Sequence, residues 1–276
     1  AEGKALDIWE TSPINLYDSR LIGSTNDYEK TAGSEVIVIT SGLPRKPGMS
    51  RDDLIATNAG IVKSVTEQAI KHSPDAKILI VSNPLDVMTY AAYLTAKVDS
   101  NRVFGMAGVL DTARYRSFLA LELDVSPKDI QAVLMGGHGD TMVPLPRYTT
   151  VAGIPVTEMI SDEKLNAIVE RTKKGGGEIV NLLGTSAWYA PGAAAAQMVE
   201  AIVRDQKRIF PTCAWLTGEY GLNDMYLGVP VKLGKAGIEE IIELDLNEDE
   251  KGLLYESANA VREVMEVLDK MDLMKA

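Results

Sequence analysis

The chain has 276 residues, enough for one large or two ordinary domains, and it is 46% hydrophobic and 24% charged. Its formal net charge of −11 argues against a nucleic-acid partner, which needs a basic surface, but still allows a small anionic substrate held by a few arginines. The single cysteine, Cys213, permits no disulfide within the chain, and no apolar run approaches the roughly 20 residues that cross a bilayer. We therefore expect a globular protein of a reducing compartment, the cytoplasm, with no nucleic-acid or membrane partner.

Predicted strands and helices alternate in the first part of the chain. A short helix over residues 4–12, ended by Pro13, precedes a weak strand over residues 20–23. Continuous aliphatic runs predict buried strands at 35–40, 76–81 and 102–106. Amphipathic segments predict helices at 51–72, with Ser50 as N-cap, at 86–97 and at 110–123. This alternation is typical of an α/β fold with a parallel sheet and helices on its faces.

The pattern changes near residue 108, where we place the boundary between two domains, 1–108 and 109–276. The second domain is predicted to be of α+β type. Its expected elements are a hairpin at 148–156, a helix at 163–174 interrupted by Gly175–Gly177, an Ala-rich helix with Pro191 in its first turn that reaches Arg204, short strands and turns at 223–242, and a terminal helix at 248–271. Five apolar residues of the terminal helix are expected to face inward: Leu253, Leu254, Val261, Val264 and Leu268.

One of the two histidines, His138, lies in the glycine-rich stretch Gly136–Asp140, directly after an apolar run. Histidine is the side chain whose ordinary pKa allows proton exchange near neutral pH, and glycines let a ligand approach the backbone. On its own, such a histidine is better explained as a turn residue satisfied by hydrogen bonds, and only its combination with residues upstream favours a function. The other histidine, His72, ends a predicted helix, where a solvated residue without a role in function is expected.

Polar residues follow the predicted strands at their carboxyl ends, where open parallel sheets bind ligands. Arg45 and Arg51 follow the strand at 35–40, and the turn 81–83 follows the next strand. Asp111 and Arg114 follow the third strand, and their i, i+3 spacing places both on one face of a helix. Each arginine alone would be read as a surface charge, and Asp111 as a helix N-terminal acid. Together they predict a site for an anionic ligand.

Four motifs carry a resemblance to a known family: Leu43–Arg51 (LPRKPGMSR), Val81–Asp86 (VSNPLD), Leu110–Arg114 (LDTAR) and Gly136–Asp140 (GGHGD). In this order and spacing, the chain resembles the malate and lactate dehydrogenase family, and within it the malate dehydrogenases built on the lactate-dehydrogenase plan. The resemblance covers nearly the whole chain. It implies a Rossmann-type parallel sheet followed by an α+β substrate and catalytic domain.

The resemblance also implies roles for single residues. His138 would be the general base and acid, and Asp111 the carboxylate that orients its ring. Arg114 would bind the substrate carboxylate next to the reacting carbon, and Arg51 would polarise the reacting oxygen. Arg45 would meet the second carboxylate of malate from a closing loop, at a place where lactate enzymes usually carry glutamine.

For the cofactor, the resemblance implies NAD, with Val81, Ser82 and Asn83 lining the nicotinamide ribose. Asn58 would contact the cofactor too, and Asn83 would also hydrogen-bond the substrate oxygen. The sequence has no Cys/His cluster with metal-ligand spacing, so no metal is expected.

The implied activity is NAD-dependent oxidation of (S)-malate to oxaloacetate and the reverse. Within the enzyme class, the alternative is a lactate dehydrogenase. From another class, the alternative is a catalytically idle binding or assembly module of the same fold. By analogy with the family we expect a homodimer or homotetramer, with the apolar helix around Leu6–Trp9 as a candidate interface.

The chain departs from the family in one respect. It contains no G-x-G-x-x-G phosphate loop and no matching acidic residue after such a loop, and both precede residue 1 in the family pattern. We expect the natural protein to carry this βαβ unit of about 30 residues, placed between the strands at 20–23 and 36–39. Without the unit, poor stability and weak NAD binding are expected, and the choice of NAD over NADP follows from family habit alone.

Overall fold

A computed structural model describes residues 1–44 and 50–271. Its α-helices are α1 (Glu2–Glu10), α2 (Ser12–Asn15), α3 (Arg51–His72), α4 (Leu85–Ala96), α5 (Ala107–Leu123), α6 (Asp162–Leu183), α7 (Tyr189–Val203) and α8 (Glu248–Asp269). Its strands are β1 (Val36–Ile39), β2 (Lys77–Ile80), β3 (Val103–Gly105), β4 (Ile130–Gln131), β5 (Leu134–Met135), β6 (Val143–Pro144), β7 (Thr150–Val151), β8 (Ile154–Pro155), β9 (Arg208–Thr217), β10 (Asn223–Gly234) and β11 (Gly237–Ile241). Within the described ranges, no helix has the length and apolarity to span a membrane.

The main sheet has the strand order β1-β2-β3-β9-β10-β11. Strands β1, β2 and β3 are parallel because helices α3 and α4 return the chain between them, and β9 then joins β3 antiparallel through Gly105 and Cys213. The carboxyl ends of the three parallel strands therefore meet at one edge of the sheet. The predicted Rossmann-type parallel sheet is confirmed for this half.

The sheet is covered by helices on both faces. Ile78 and Ile80 of β2 point into one apolar cluster with residues of α3 and α4. Leu79, which alternates with them, points into the other cluster with residues of α5 and α7. A strand buried on both faces needs a continuous aliphatic run, and that is the pattern that predicted β2.

Helix α3 begins as the sequence indicated. The Ser50 hydroxyl accepts a hydrogen bond from the Asp53 N–H at 3.1 Å, and the Asp53 carboxylate accepts one from the Ser50 N–H at 3.1 Å. This reciprocal pair is a capping box, which satisfies N–H groups that the first turn leaves without helical partners. The predicted N-cap of α3, Ser50, is thereby confirmed.

The prediction of short strands and turns at 223–242 was wrong, and β9 was not predicted. Strand β10 is a single strand of 12 residues that pairs with β9 along its length. Gly228 and Pro230, residue types that disfavour a continuous strand, both fit inside the sheet. Pro230 lies opposite Pro211, and Gly228 lies where another segment of backbone crosses the strand. Both contacts join residues far apart in the sequence, so the sequence around Gly228 and Pro230 gives no sign of them.

Three other local expectations also differ from the structure. Residues 20–23 are not a strand, because β1 ends the sheet on this side and no described strand lies beyond it to accept their hydrogen bonds. Helix α6 continues through Gly175–Gly177 instead of being interrupted, and Gly175 is buried on the face of α6 that packs on α5. Leu253 is 50% exposed, whereas the other four residues predicted to face inward from α8 are buried.

Candidate active site

The loop that carries His138 is fixed to β10 by backbone contacts. The Gly136 N–H donates to the Gly228 carbonyl at 2.8 Å, and the Gly228 N–H donates to the Gly136 carbonyl at 3.1 Å. Gly136 has a φ of +83°, in the region that favours glycine, and a Cβ on Gly228 would collide with the Gly136 carbonyl. The two glycines thus permit a close backbone approach that sets the position of the loop.

Two buried side chains hold the next two residues of the loop. The Gly137 N–H donates to the Ser257 hydroxyl of α8 at 2.8 Å. The His138 N–H donates to Asp86 Oδ2 of α4 at 3.0 Å. Since Asp86 and Ser257 are both buried, these hydrogen bonds compete little with water. The backbone of His138 is therefore fixed by α4, β10 and α8 together.

The His138 ring faces the first turns of α5. His138 Nδ1 lies 2.8 Å from Asp111 Oδ2, and Arg114 Nη1 lies 3.3 Å from Asp111 Oδ1. Each oxygen of this carboxylate, which is 3% exposed, therefore has one charged or polar partner. The His138 side chain is 18% exposed, so the ring is accessible only in part.

Asp111 also governs the protonation of His138. Burial by itself lowers the pKa of His138, but the charge of Asp111 and its hydrogen bond to the ring, with a further contribution from Asp86, outweigh burial and raise the pKa above its usual value. A proton on Nδ1 is donated to Asp111, which leaves Nε2 to exchange a proton with a ligand. This is the arrangement of an oriented general base and acid.

A second cluster ties the carboxyl ends of β1 and β2 together. The Asn58 amide of α3 donates to the Asn83 carbonyl at 2.7 Å and to the Leu43 carbonyl at 3.1 Å, and its oxygen accepts from the Leu43 N–H at 2.8 Å. The Ser82 hydroxyl donates to the Ser41 carbonyl at 2.6 Å. Asn58 thus links the loop that follows β1 to the loop that follows β2. Its contact with a cofactor stays a prediction.

The sheet edge fits one end of a dinucleotide. The Ser41 hydroxyl is buried and has no hydrogen-bond partner among the described residues, so a polar group of a ligand could satisfy it. Ser41 neighbours Ser82 and the exposed Asn83 at the ends of parallel strands, where α/β sheets hold the nicotinamide and its ribose. The residues present therefore fit the nicotinamide end of NAD, whereas no motif in the chain matches the pyrophosphate loop.

The other predicted substrate residues are less defined by the structure. Arg51 is the first residue of α3 and is exposed, and its side chain forms no hydrogen bond or ion pair with another described residue. Arg45 lies outside the described residues. Of the predicted site, the structure thus brings together His138, Asp111 and Arg114, and it groups Asn58 with Ser82 and the Asn83 carbonyl.

Asp86 and Ser257 were not predicted as supports of the loop. Asp86 did give a signal, since it is the only charged residue in α4, whose remaining residues are apolar or uncharged. Burial raises the pKa of Asp86, and its Oδ1 has no hydrogen-bond partner in the part of the chain that the structure describes. Ser257 gave no signal, because only its contact with a residue 120 positions away distinguishes it.

A buried carboxylate that orients an imidazole, beside an arginine and a dinucleotide-binding sheet edge, defines the class of α/β dehydrogenases. Family models agree with this class. The model of the lactate/malate dehydrogenase NAD binding domain matches residues 1–105, and that of the lactate/malate dehydrogenase alpha/beta C-terminal domain matches residues 108–271. The chain belongs to the lactate/malate dehydrogenase family, and the resemblance inferred from its four motifs is confirmed.

Individual relatives are similar over almost the whole chain. A malate dehydrogenase from Cytophaga hutchinsonii is 69% identical, over 98% of this chain and 86% of the relative. The crystal structure of malate dehydrogenase from Salinibacter ruber is 60% identical with a TM-score of 0.93, over 98% of this chain and 86% of that one. A lactate dehydrogenase from Cryptosporidium parvum, solved with lactic acid and NAD, is 40% identical with a TM-score of 0.93, over 98% of this chain and 87% of that one.

Proposed function

We propose that the protein catalyses the NAD-dependent oxidation of (S)-malate to oxaloacetate and the reverse reaction. The observation that carries the proposal is the 2.8 Å contact between His138 Nδ1 and Asp111, with Arg114 on the other carboxylate oxygen. The names of relatives at 69%, 62% and 56% identity, each a malate dehydrogenase, support the choice of substrate.

In the proposed reaction His138 handles the proton. Bound NAD supplies the hydride acceptor for malate oxidation, and NADH supplies the donor for the reverse reaction. As the C2–H bond breaks, His138 Nε2 takes the proton of the malate hydroxyl, so that the C–O bond becomes a carbonyl. The resulting imidazolium is stabilised by Asp111, and in the reverse direction it returns the proton to the developing alkoxide.

The arginines would hold the two carboxylates of the substrate. The Arg114 guanidinium would bind the carboxylate next to C2 with donors that Asp111 does not use, through the two parallel hydrogen bonds that lysine cannot form. Arg51 would polarise the reacting oxygen, and Arg45 would bind the second carboxylate. Asn83 would hydrogen-bond the reacting oxygen as well.

At the sheet edge, Val81, Ser82 and Asn83 would line the nicotinamide ribose, and Asn58 would support them. The Ser41 hydroxyl, which has no partner among residues 1–44 and 50–271, is a further donor at this place.

The test is the fall of NADH absorbance with oxaloacetate or pyruvate as the acceptor. We expect oxaloacetate to be reduced with the higher kcat/KM. A preference for pyruvate would assign the protein as a lactate dehydrogenase, the activity named for the Cryptosporidium parvum neighbour. Failure to oxidise NADH with either acceptor would favour an idle module of the same fold.

Replacing Arg45 with glutamine should change the substrate preference. Loss of a charge that binds the second carboxylate is expected to lower kcat/KM for oxaloacetate by about 100-fold and to raise it for pyruvate. Steady-state kinetics with both acceptors measure the effect. Lys46→Gln removes the neighbouring charge of the same loop and is expected to leave the preference unchanged. Full oxaloacetate selectivity in the Arg45 variant would contradict its proposed role.

We also propose that the protein is a homodimer or homotetramer located in the cytoplasm. Helix α1 buries none of its residues within the chain and leaves apolar side chains exposed, among them Leu6, Ile8 and Trp9. Such a patch is typical of a surface that another subunit covers. Light scattering measures the number of subunits in solution. We expect the wild type to be a dimer or tetramer and Trp9→Ser to dissociate more readily. A monomeric wild type would contradict the proposed interface.

A further inference from the structure

Helix α6 contains three consecutive glycines, Gly175–Gly177, in the interior of a helix of 22 residues. After proline, glycine is the residue that destabilises a helix interior most. Three in succession would end a helix that had no tertiary support, as the sequence alone suggested. A close contact at one of these positions would account for a glycine there.

The first glycine lies on the buried face of α6. Leu165, Ile168, Thr172 and Gly175 are the buried residues of the helix, and their spacing of three and four places them on one stripe. The stripe packs against α5. At the position where the stripe meets Arg114, it has no side chain.

The space left by the missing side chain is occupied by Arg114. A Cβ on Gly175 would lie 3.0 Å from Arg114 Cδ, which is tighter than an ordinary contact, and 3.6 Å from Nε, which is an ordinary contact distance. A Cβ on Gly176 would lie 3.8 Å from Nη2, an ordinary contact distance. A Cβ on Gly177 would have no neighbour within 4 Å. Only Gly175 is therefore required for the present position of the arginine.

Arg114 is confined from two sides. Asp111 holds Nη1 at 3.3 Å, the backbone of α6 lies along the aliphatic stem, and the side chain is 14% exposed. Any group added to α6 at residue 175 must move the stem, and with it the guanidinium, by a few tenths of an ångström.

We propose that Gly175 is a positioning residue, whose missing side chain sets the place of the Arg114 guanidinium relative to His138 and thereby the affinity for the substrate carboxylate. The inference rests on the proposed function, in which Arg114 binds that carboxylate. It adds a residue of α6 that touches neither substrate nor cofactor and acts through the arginine.

The test compares Gly175→Ala with Gly177→Ala. Both replace a helical glycine by a better helix former, but only the first adds an atom against Arg114. Since a displacement of 1 Å can cost about 100-fold, we expect Gly175→Ala to raise KM for oxaloacetate by about three- to ten-fold, with little change in kcat or in KM for NADH. We expect Gly177→Ala to raise the midpoint of thermal unfolding and to leave KM unchanged. An unchanged KM in Gly175→Ala, or an equal rise in both variants, would overturn the inference.

A double-mutant cycle separates contact with the arginine from a general effect on α6. Arg114→Ala removes the atoms that the added methyl group would meet, so Gly175→Ala should cause no further loss of kcat/KM in that background. Losses that simply multiply would show that Gly175 does not act through Arg114, and would overturn the inference.

The outcome can be told apart from failure of the proposed function. If the wild type reduces pyruvate instead of oxaloacetate, the same comparison is made with KM for pyruvate. If it reduces neither, calorimetric binding of oxalate replaces kinetics. In both cases the malate proposal has failed, while weaker binding by Gly175→Ala than by Gly177→Ala supports the role of Gly175, and equal binding overturns it.

Discussion

Replacing His138 with asparagine is expected to lower kcat by about 10²- to 10⁴-fold in both directions, the usual contribution of a positioned general base and acid. Asparagine keeps the backbone N–H that donates a hydrogen bond to Asp86, so the loop should keep its position. It cannot exchange a proton near neutral pH, so the hydroxyl proton of malate would have no acceptor. Steady-state rates measure the loss, and fluorescence titration with NADH should show unchanged cofactor binding.

The other histidine provides the matched control for this substitution. His72 ends α3, and its carbonyl accepts a hydrogen bond from the Gly33 N–H at 3.2 Å, which a side-chain substitution leaves in place. His72→Asn should therefore retain the wild-type rate. A near-native rate in His138→Asn would remove this histidine from the proposed mechanism.

Replacing Asp111 with asparagine is expected to lower kcat for oxaloacetate reduction by about 100-fold or more near neutral pH. Burial lowers the pKa of His138, and Asp111 is the largest influence that raises it again. Without the carboxylate, the pKa of His138 falls and the imidazolium that reduction requires is depleted. Because an amide can also donate to Nδ1, the tautomer with a proton on Nε2 becomes available, which is wrong for a base.

The pH profile distinguishes this effect from a loss of structure. In the wild type, folding raises the pKa of His138. Protonation of His138 therefore stabilises the folded protein, and this stabilisation is complete below the ordinary histidine pKa. It is lost as the pH rises through the raised pKa of the folded protein. In Asp111→Asn, the pH at which reduction declines should move down, and malate oxidation should begin at a lower pH.

The control for the Asp111 variant is Asp124→Asn, an exposed aspartate directly after α5 whose φ of +52° asparagine tolerates well. We expect neither its rate nor its pH profile to change. A profile in Asp111→Asn that matches the wild type would mean that Asp111 does not control the proton on His138.

The first half of the fold was predictable because its signals are local. Aliphatic runs identified β1, β2 and β3, and Ser50 identified the start of α3 through its own hydrogen bond with Asp53. The full length of β10 was not predictable, because Pro230 indicates a turn unless its partner across the sheet, Pro211 of β9, is known. Similarly, Gly175 was expected to interrupt α6. The residue that it contacts, Arg114, lies on α5, so the sequence around Gly175 gives no sign of this contact.

For the site, the sequence motifs named residues that the structure does bring together. Asp111 and Arg114 share a face of α5 by their spacing, and the resemblance paired them with His138, which lies 2.8 Å from Asp111. Their chemical roles stay predictions. Asp86 and Ser257 were not foreseen as supports, since a buried hydrogen bond to a distant backbone N–H leaves no pattern along the chain. For Arg51 the situation is reversed. The sequence predicts a role for it, but the structure shows no contact with another described residue that defines this role.

The attachment of the His138 loop has a consequence for how activity appears during folding. Hydrogen bonds attach the loop to α4, β10 and α8. The hydrogen bond between Gly137 and Ser257 joins residues that lie 120 positions apart in the sequence. Long-range closures of this kind form late, because the ordering of the intervening chain must come first. Recovery of turnover after dilution from denaturant should consequently lag behind the return of helical circular dichroism, so that the enzyme assay reports assembly of the entire molecule.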